Sequence, residues 1–257
     1  MEITAAIVTF KNDPTVLRAA IDSFLSCGLK ICLYLIDNSP TDTLRHLISD
    51  SRVEYIFNNN NLGFGKAHNI GIAKSQSLNA KYHLVLNPDI SFKPHTLEKI
   101  FEYMEAQQNL GLLMPKVTYP DGSLQYLCKH PPSISILLLR RFMPRAVQIF
   151  FQGKLNLYEY RDRDYNKIIL DVPYLSGCFM FFRNTVLEKT GGFDEKIFMY
   201  MEDADITYRV LKYSHTIYYP EASIEHHFAK GSYKSLRLMY YNIQGAFIYF
   251  QKWGWRF

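Results

Sequence analysis

Asn61-Leu62-Gly63-Phe64-Gly65-Lys66-Ala67-His68-Asn69-Ile70-Gly71 is a glycine-rich loop that runs directly into helical periodicity. It follows a β-rich apolar run at 53–57. It precedes a helix expected over 67–77 and a buried strand expected over 82–86. A strand, a glycine loop and a helix in that order form half of a βαβ unit. The junction turns backbone N–H groups and the positive end of the helix dipole toward one point, which suits an anion. It is not a dinucleotide fingerprint, because G-x-G-x-x-G would need glycine at His68, and no Gly-Lys-Ser/Thr makes it a Walker loop. A phosphate-side loop and a plain turn both satisfy these residues.

The same alternation extends toward the N-terminus. Residues 3–10 read as a strand, and 14–25 as a helix through Val16, Leu17, Ala20, Ile21 and Phe24. Pro14 near its start and Gly28 past its end are the favoured punctuation. Residues 31–36 read as a strand and 41–49 as a helix. Strands and helices at this spacing predict an α/β fold with a parallel, twisted sheet and flanking helices. Ligands of such sheets lie beyond the carboxyl ends of the strands, so polar residues should cluster there. They do, at Thr9-Phe10-Lys11-Asn12, Asp37-Asn38-Ser39, 58–61 and Asn87-Pro88-Asp89.

The second half is less regular. Pro131-Pro132 marks a break before 134–151, which mixes apolar residues with Arg140, Arg141 and Arg145. A polar connector at 158–167 leads to a strand-like stretch at 176–182. The tail, 236–257, is aromatic and expected to be helical.

Composition excludes several classes. The 257 residues are 48% hydrophobic and 21% charged, which argues against disorder. A formal charge of +5 falls short of a nucleic-acid binder and suits phosphorylated ligands or an anionic membrane surface. Cys27, Cys32, Cys128 and Cys178 form no Cys-x-x-Cys pair, so they read as reduced, mostly buried thiols. The N-terminus shows no secretion signal and no run of about 18 apolar residues is present, so a cytoplasmic location is expected.

Each polar cluster has a chemical and a structural reading. Asp37-Asn38-Ser39 suits contacts to a base and ribose, or an Asx turn. Asn87-Pro88-Asp89 suits a hard cation such as Mg²⁺ or Mn²⁺, or a proline turn. Glu202-Asp203-Ala204-Asp205, with Arg209 four residues beyond Asp205, reads as a general base at Asp203 or as a salt-bridged helix start. In Glu225-His226-His227-Phe228-Ala229-Lys230-Gly231-Ser232, a histidine followed by Lys-Gly-Ser suits a metal or diphosphate.

Taken in order, these segments resemble the family 2 inverting glycosyltransferases of the GT-A fold. They look most like the rhamnosyltransferases of bacterial O-antigen and surface-polysaccharide synthesis. The match rests on Asn61-x-Gly63-Phe64-x-x-Ala67-x-Asn69-x-Gly71, on 177–183, on Gly191-Gly192-Phe193-Asp194-Glu195 and on Glu202-Asp203-x-Asp205-x-x-x-Arg209. It implies a Rossmann-like GT-A domain over 1–235, with a nucleotide-sugar half (1–118), an acceptor half (119–235) and a helical extension (236–257). It implies nucleotide-sugar contacts from Thr9, Phe10, Asp37, Asn38, Gly63, Phe64, Asn69, Asn87 and Asp89. Asp203 would be the catalytic base, with Gly177, Glu202, Asp205 and Arg209 on the acceptor side. Asp89 and His226 would hold the divalent cation. Asn87 stands where many members carry a second aspartate, so this metal site has one carboxylate fewer. The implied donor is dTDP-rhamnose, with a UDP-hexose as the alternative. The implied acceptor is a lipid-linked glycan at the inner membrane face; the basic stretch 134–151 and the aromatic tail read as lying against the bilayer interface, or as core packing or a dimer contact. The rivals are a sugar-phosphate nucleotidyltransferase and a non-catalytic nucleotide- or glycan-binding module. No nucleic acid is expected.

Overall fold

The computed structural model describes residues 1–227 and 235–257. Its first half follows the alternation: β1 (Ile3–Thr9), α1 (Pro14–Leu25), β2 (Ile31–Asp37), β3 (Val53–Phe57), α2 (Phe64–Ser77) and β4 (Tyr82–Leu86). α1 starts where its sequence dictates. The Asp13 carboxylate accepts from the N–H groups of Thr15 and Val16, and Pro14 fills a position that needs no donor. The helix then buries Leu17, Ala20, Ile21 and Phe24.

The helix expected over 41–49 is instead a single 3₁₀ turn, Arg45–Leu47. Only Leu44 is buried there, so no apolar stripe holds a longer helix to the core. Local bonds from Arg45 to Asp42 and between the His46 ring and the Thr43 carbonyl favour a turn.

β5 (Ile90–Phe92), α3 (Thr96–Ala106) and β6 (Leu110–Thr118) complete the first half. The stretch 134–151 breaks at Met143-Pro144, because proline disfavours helix in the residue before it. Three short helices result: α4 (Ile134–Phe142), α5 (Arg145–Phe150) and α6 (Gln152–Tyr158). Around them, β7 (Cys128–Lys129), β8 (Ile169–Leu170) and β9 (Tyr174–Leu175) are two residues each. β10 (Phe179–Arg183), α7 (Asn184–Thr190), α8 (Glu202–Val210), β11 (His215–His226) and α9 (Leu236–Trp253) follow.

The main sheet runs β3-β2-β1-β4-β10-β6-β11-β5, with β8 beside β11, and β7 pairs β9 separately. β3, β2, β1 and β4 are mutually parallel, while β10 is antiparallel to both of its neighbours. β2 and β4 flank β1 on opposite sides, so a crevice opens beyond its carboxyl end. Gly71 lets α2 settle on that strand, since a Cβ there would stand 2.6 Å from the Ala6 Cβ.

The aromatic tail is packed onto the fold rather than hanging from it. Tyr249 and Phe250 of α9 are buried with Tyr174, Met201 and Ala204. Among the described residues no helix is long and apolar enough to cross a membrane.

Candidate active site

The carboxyl ends of β1 and β2 carry one hydrogen-bonded group. The fully buried Asp37 accepts from Thr9 Oγ1 at 3.2 Å, from the Ser39 N–H at 2.8 Å and from the Tyr55 hydroxyl at 2.6 Å. Burial, then this contact to Asp37, pushes the Tyr55 phenol far above its usual value, so it stays a donor. Asn38 donates to the Gly63 carbonyl at 3.2 Å and accepts from Asn58 at 2.8 Å, which ties the glycine loop to β2. Phe10 is exposed at the rim.

The glycine loop is positioned from the opposite side. Gly63 adopts φ +82°, and a Cβ there would lie 2.3 Å from the Phe198 carbonyl oxygen. That carbonyl accepts from the Phe64 N–H at 2.9 Å. The Phe64 ring lies 4.4 Å from His68 and 5.7 Å from Phe193. Asn69, expected near the nucleotide, exchanges two bonds with the Phe193 main chain, at 2.8 and 3.0 Å. Its polar atoms therefore fasten α2 to the Gly191-Gly192-Phe193 turn.

Sheet register brings Asp89 and His226 together. β5 begins just after Asp89 and pairs antiparallel with β11, setting Ile90 opposite His226. The His226 Nε2 lies 3.4 Å from Asp89 Oδ1. Gln125 donates to the His226 carbonyl, which orients its own Oε1 toward Nδ1 at 2.9 Å. That pairing makes Nδ1 the donor to Gln125 and sets Nε2 on the side of the carboxylate. The buried Asp89 Oδ1 has no hydrogen-bond donor. One oxygen and one nitrogen of this kind fit a divalent cation that takes its remaining ligands from elsewhere. Among the described residues no group of three His, Cys, Asp or Glu could hold a metal. His227 points outward, and Lys230-Gly231-Ser232 lies outside the described residues.

Asp203 sits on the first turn of α8. Its Oδ2 accepts from the Gly177 N–H at 3.1 Å and its Oδ1 from the Ala204 N–H at 2.9 Å. Glu202 beside it is buried with an Oε2 that has no partner. Burial, then the Asp203 charge, raises its carboxyl well above the usual carboxylate range. Cys178 lies at the same place, and burial pushes its thiol up to about 12, too high for a nucleophile at neutral pH.

Asp205 and Arg209, expected on the acceptor side, both bond to the surrounding scaffold. The fully buried Asp205 spends Oδ2 on Arg209 at 2.8 Å and Oδ1 on the Trp253 indole and the Lys252 ammonium, both at 2.8 Å. Arg209 also donates to the Thr190 and Gly192 carbonyls. Both carboxylate oxygens of Asp205 are thereby engaged within the fold. An Asp and an Arg four apart on a helix start look the same in sequence whether they face a ligand or a neighbouring helix.

Sequence reasoning passed over Tyr55, Gln125 and Lys129. The first two anchor Asp37 and His226, respectively.

Residues 5–191 match the family described as Glycosyl transferase family 2. The chain belongs to that family. The N-acetylglucosaminyl-diphospho-decaprenol L-rhamnosyltransferase of Mycobacterium tuberculosis is 28% identical over 231 residues, 86% of this glycosyltransferase and 74% of the relative. Rhamnosyltransferase WbbL of Escherichia coli K12 is 26% identical over 173 residues, 65% of this chain and 61% of that one. Among solved structures, the mannosyltransferase PcManGT from Pyrobaculum calidifontis, in complex with GDP-Man and Mn²⁺, superposes with a TM-score of 0.63. That match, at 14% identity, covers 97% of this chain and 64% of the solved one, so the chain spans less than two thirds of its length. The fold is GT-A.

Proposed function

We propose that this glycosyltransferase moves L-rhamnose from dTDP-rhamnose to a lipid-linked glycan acceptor, with inversion at the anomeric carbon. The observation that carries the reading is the segment 176–178. The Gly177 N–H holds Asp203 at 3.1 Å, and the Cys178 carbonyl accepts from the Asn87 N–H at 2.9 Å. A carboxylate suited to basic catalysis and the Asn87-Pro88-Asp89 turn thus flank a single loop.

Asp203 takes the proton of the acceptor hydroxyl as its oxygen bonds to the anomeric carbon. The bond from that carbon to the diphosphate breaks, and the nucleoside diphosphate leaves with the electron pair. The raised carboxyl of Glu202 disfavours a second negative charge beside Asp203. The loop at Gly63 and the start of α2 orient the diphosphate. A cation held by Asp89 and His226 would supply positive charge for the leaving group.

The rhamnosyl donor rests on the two rhamnosyltransferase relatives. Asp203→Asn should lower transfer by about 10²–10⁴-fold while dTDP binding persists. Near-normal turnover in that variant would remove Asp203 as the base. A panel of dTDP-rhamnose and UDP-hexoses, read by nucleoside diphosphate release, separates the donors. Release with none of them would favour a binding module.

A peripheral membrane position completes this reading. Phe142, Ile149 and Phe150 (85% exposed) face outward on α4 and α5, next to Arg141 and Arg145. On α9, Leu236, Tyr240, Ile243 and Phe247 form one exposed stripe at helical spacing. Apolar side chains interleaved with cations suit an anionic bilayer interface. Sedimentation with anionic but not neutral vesicles, lost in an Arg141/Arg145 double glutamine variant, is the expected result.

A further inference from the structure

The small ribbon of β7 and β9 sets Lys129 opposite Tyr174, outside the main sheet. The Lys129 ammonium lies 4.5 Å from the centroid of the Tyr174 ring. It is half-buried, and among the described residues its ammonium meets this ring without a salt bridge or hydrogen bond. Leaving a half-enclosed ammonium unpaired is costly, so its position calls for an anion.

The surroundings sharpen that demand. Arg140 pairs with Glu159 at 3.1 Å, but Arg161 holds the same carboxylate at 2.8 Å. Glu159 is thus held by two guanidinium groups. Burial, then the charge of Arg140, pushes the Lys129 ammonium below its ordinary value, while Asp203 pulls the other way. The Tyr174 ring beneath the ammonium also packs in the cluster of Met201 and Ala204, which flank the Glu202-Asp203 turn.

We propose that Lys129, seated on Tyr174, binds a phosphate of the acceptor, so that a sugar 1-phosphate or 1-diphosphate on a lipid is held with its reacting hydroxyl toward Asp203. This rests on the reading of Asp203 as the base. The cation anchors the charged end of the acceptor sugar and the base meets its other end. A donor diphosphate would instead lie by the Gly63 loop and Asp89.

The test uses Lys129→Gln and Lys129→Arg in the full chain. With a short-chain lipid-linked sugar 1-diphosphate, K129Q should raise the acceptor KM about tenfold or more and leave the donor KM unchanged, since a charged hydrogen bond of this kind is lost. K129R should recover most of it. With an uncharged alkyl glycoside of the same sugar, all three proteins should behave alike. Equal loss on both acceptors, or a raised donor KM, would overturn the assignment in favour of a structural or donor-side role. A second arm needs no turnover. Protein saturated with dTDP and Mg²⁺ is titrated with inorganic pyrophosphate, and K129Q should bind it at least about tenfold more weakly than the native chain. Equal binding, or none by the native chain, sinks the Lys129 site. Absence of transfer with every donor counts instead against sugar transfer itself.

Discussion

The indole N–H of Trp253 donates to Asp205 Oδ1 at 2.8 Å, joining the last turn of α9 to the helix that carries Asp203. Asp205 is fully buried, and Arg209 and Lys252 complete its shell. Trp253→Phe keeps most of the packing and removes one charged hydrogen bond. It should cost about 1.5–3 kcal/mol of unfolding free energy. Asp205→Ala should cost more, about 3–5 kcal/mol, because the partly buried Arg209 loses its counter-charge. Urea unfolding monitored by tryptophan-independent circular dichroism measures both.

Gly63→Ala should disturb the donor loop and the entry to α8 together. The backbone at φ +82° is strained for alanine, and the new methyl would meet the Phe198 carbonyl at 2.3 Å. The expected loss is about 1–3 kcal/mol of stability, with weaker dTDP binding by thermal shift. An unchanged dTDP affinity would separate this loop from the nucleotide.

Glu202 makes stability depend on pH in a stated direction. Its folded-state value is raised above the unfolded one, so the native state holds the extra proton. Its contribution is complete below the ordinary glutamate value and is lost as pH rises through the folded-state value. Glu202→Gln keeps the shape without titrating. Its Tm advantage over the native chain should therefore widen with increasing pH, as followed by calorimetry from acid to mildly alkaline buffer. A gap that stays constant would mean that folding does not shift the Glu202 carboxyl.

Gln125 positions His226 and should matter to a metal held there. Gln125→Leu removes the acceptor for Nδ1–H at 2.9 Å. Loss of such an outer partner lowers metal affinity by about 10–100-fold. Titration with Mn²⁺ read by electron paramagnetic resonance checks it, and unchanged affinity would exclude His226 as a ligand.

Strands at 53–57 and 82–86, and the helix at 14–25, were legible because apolar runs there end at residues that punctuate the chain. The polar clusters after β1, β2 and β4 were legible for the same reason, since a buried strand must stop before it can present a carboxylate. The short helices after Pro131-Pro132 and the two-residue strands were not, because fragments of that size carry no measurable period. Tyr55 and Gln125 were invisible for another reason. Their partners Asp37 and His226 lie 18 and 101 residues away, so only the sheet order brings them together. The bond from the Trp253 indole to Asp205 was hidden in the same way, because the two stand 48 residues apart.

The shift in register between Tyr219 and Ser223 on β11 precedes a strict alternation in which Ala222, Ile224 and His226 face inward. Parity along that strand therefore chooses between two adjacent imidazoles. Shortening the irregularity by one residue would turn His226 to solvent and present His227 to Asp89 instead. The identity of the imidazole at the pocket is thus written in the length of a loop-out several residues upstream, and a frame of one position could exchange the two without altering either side chain.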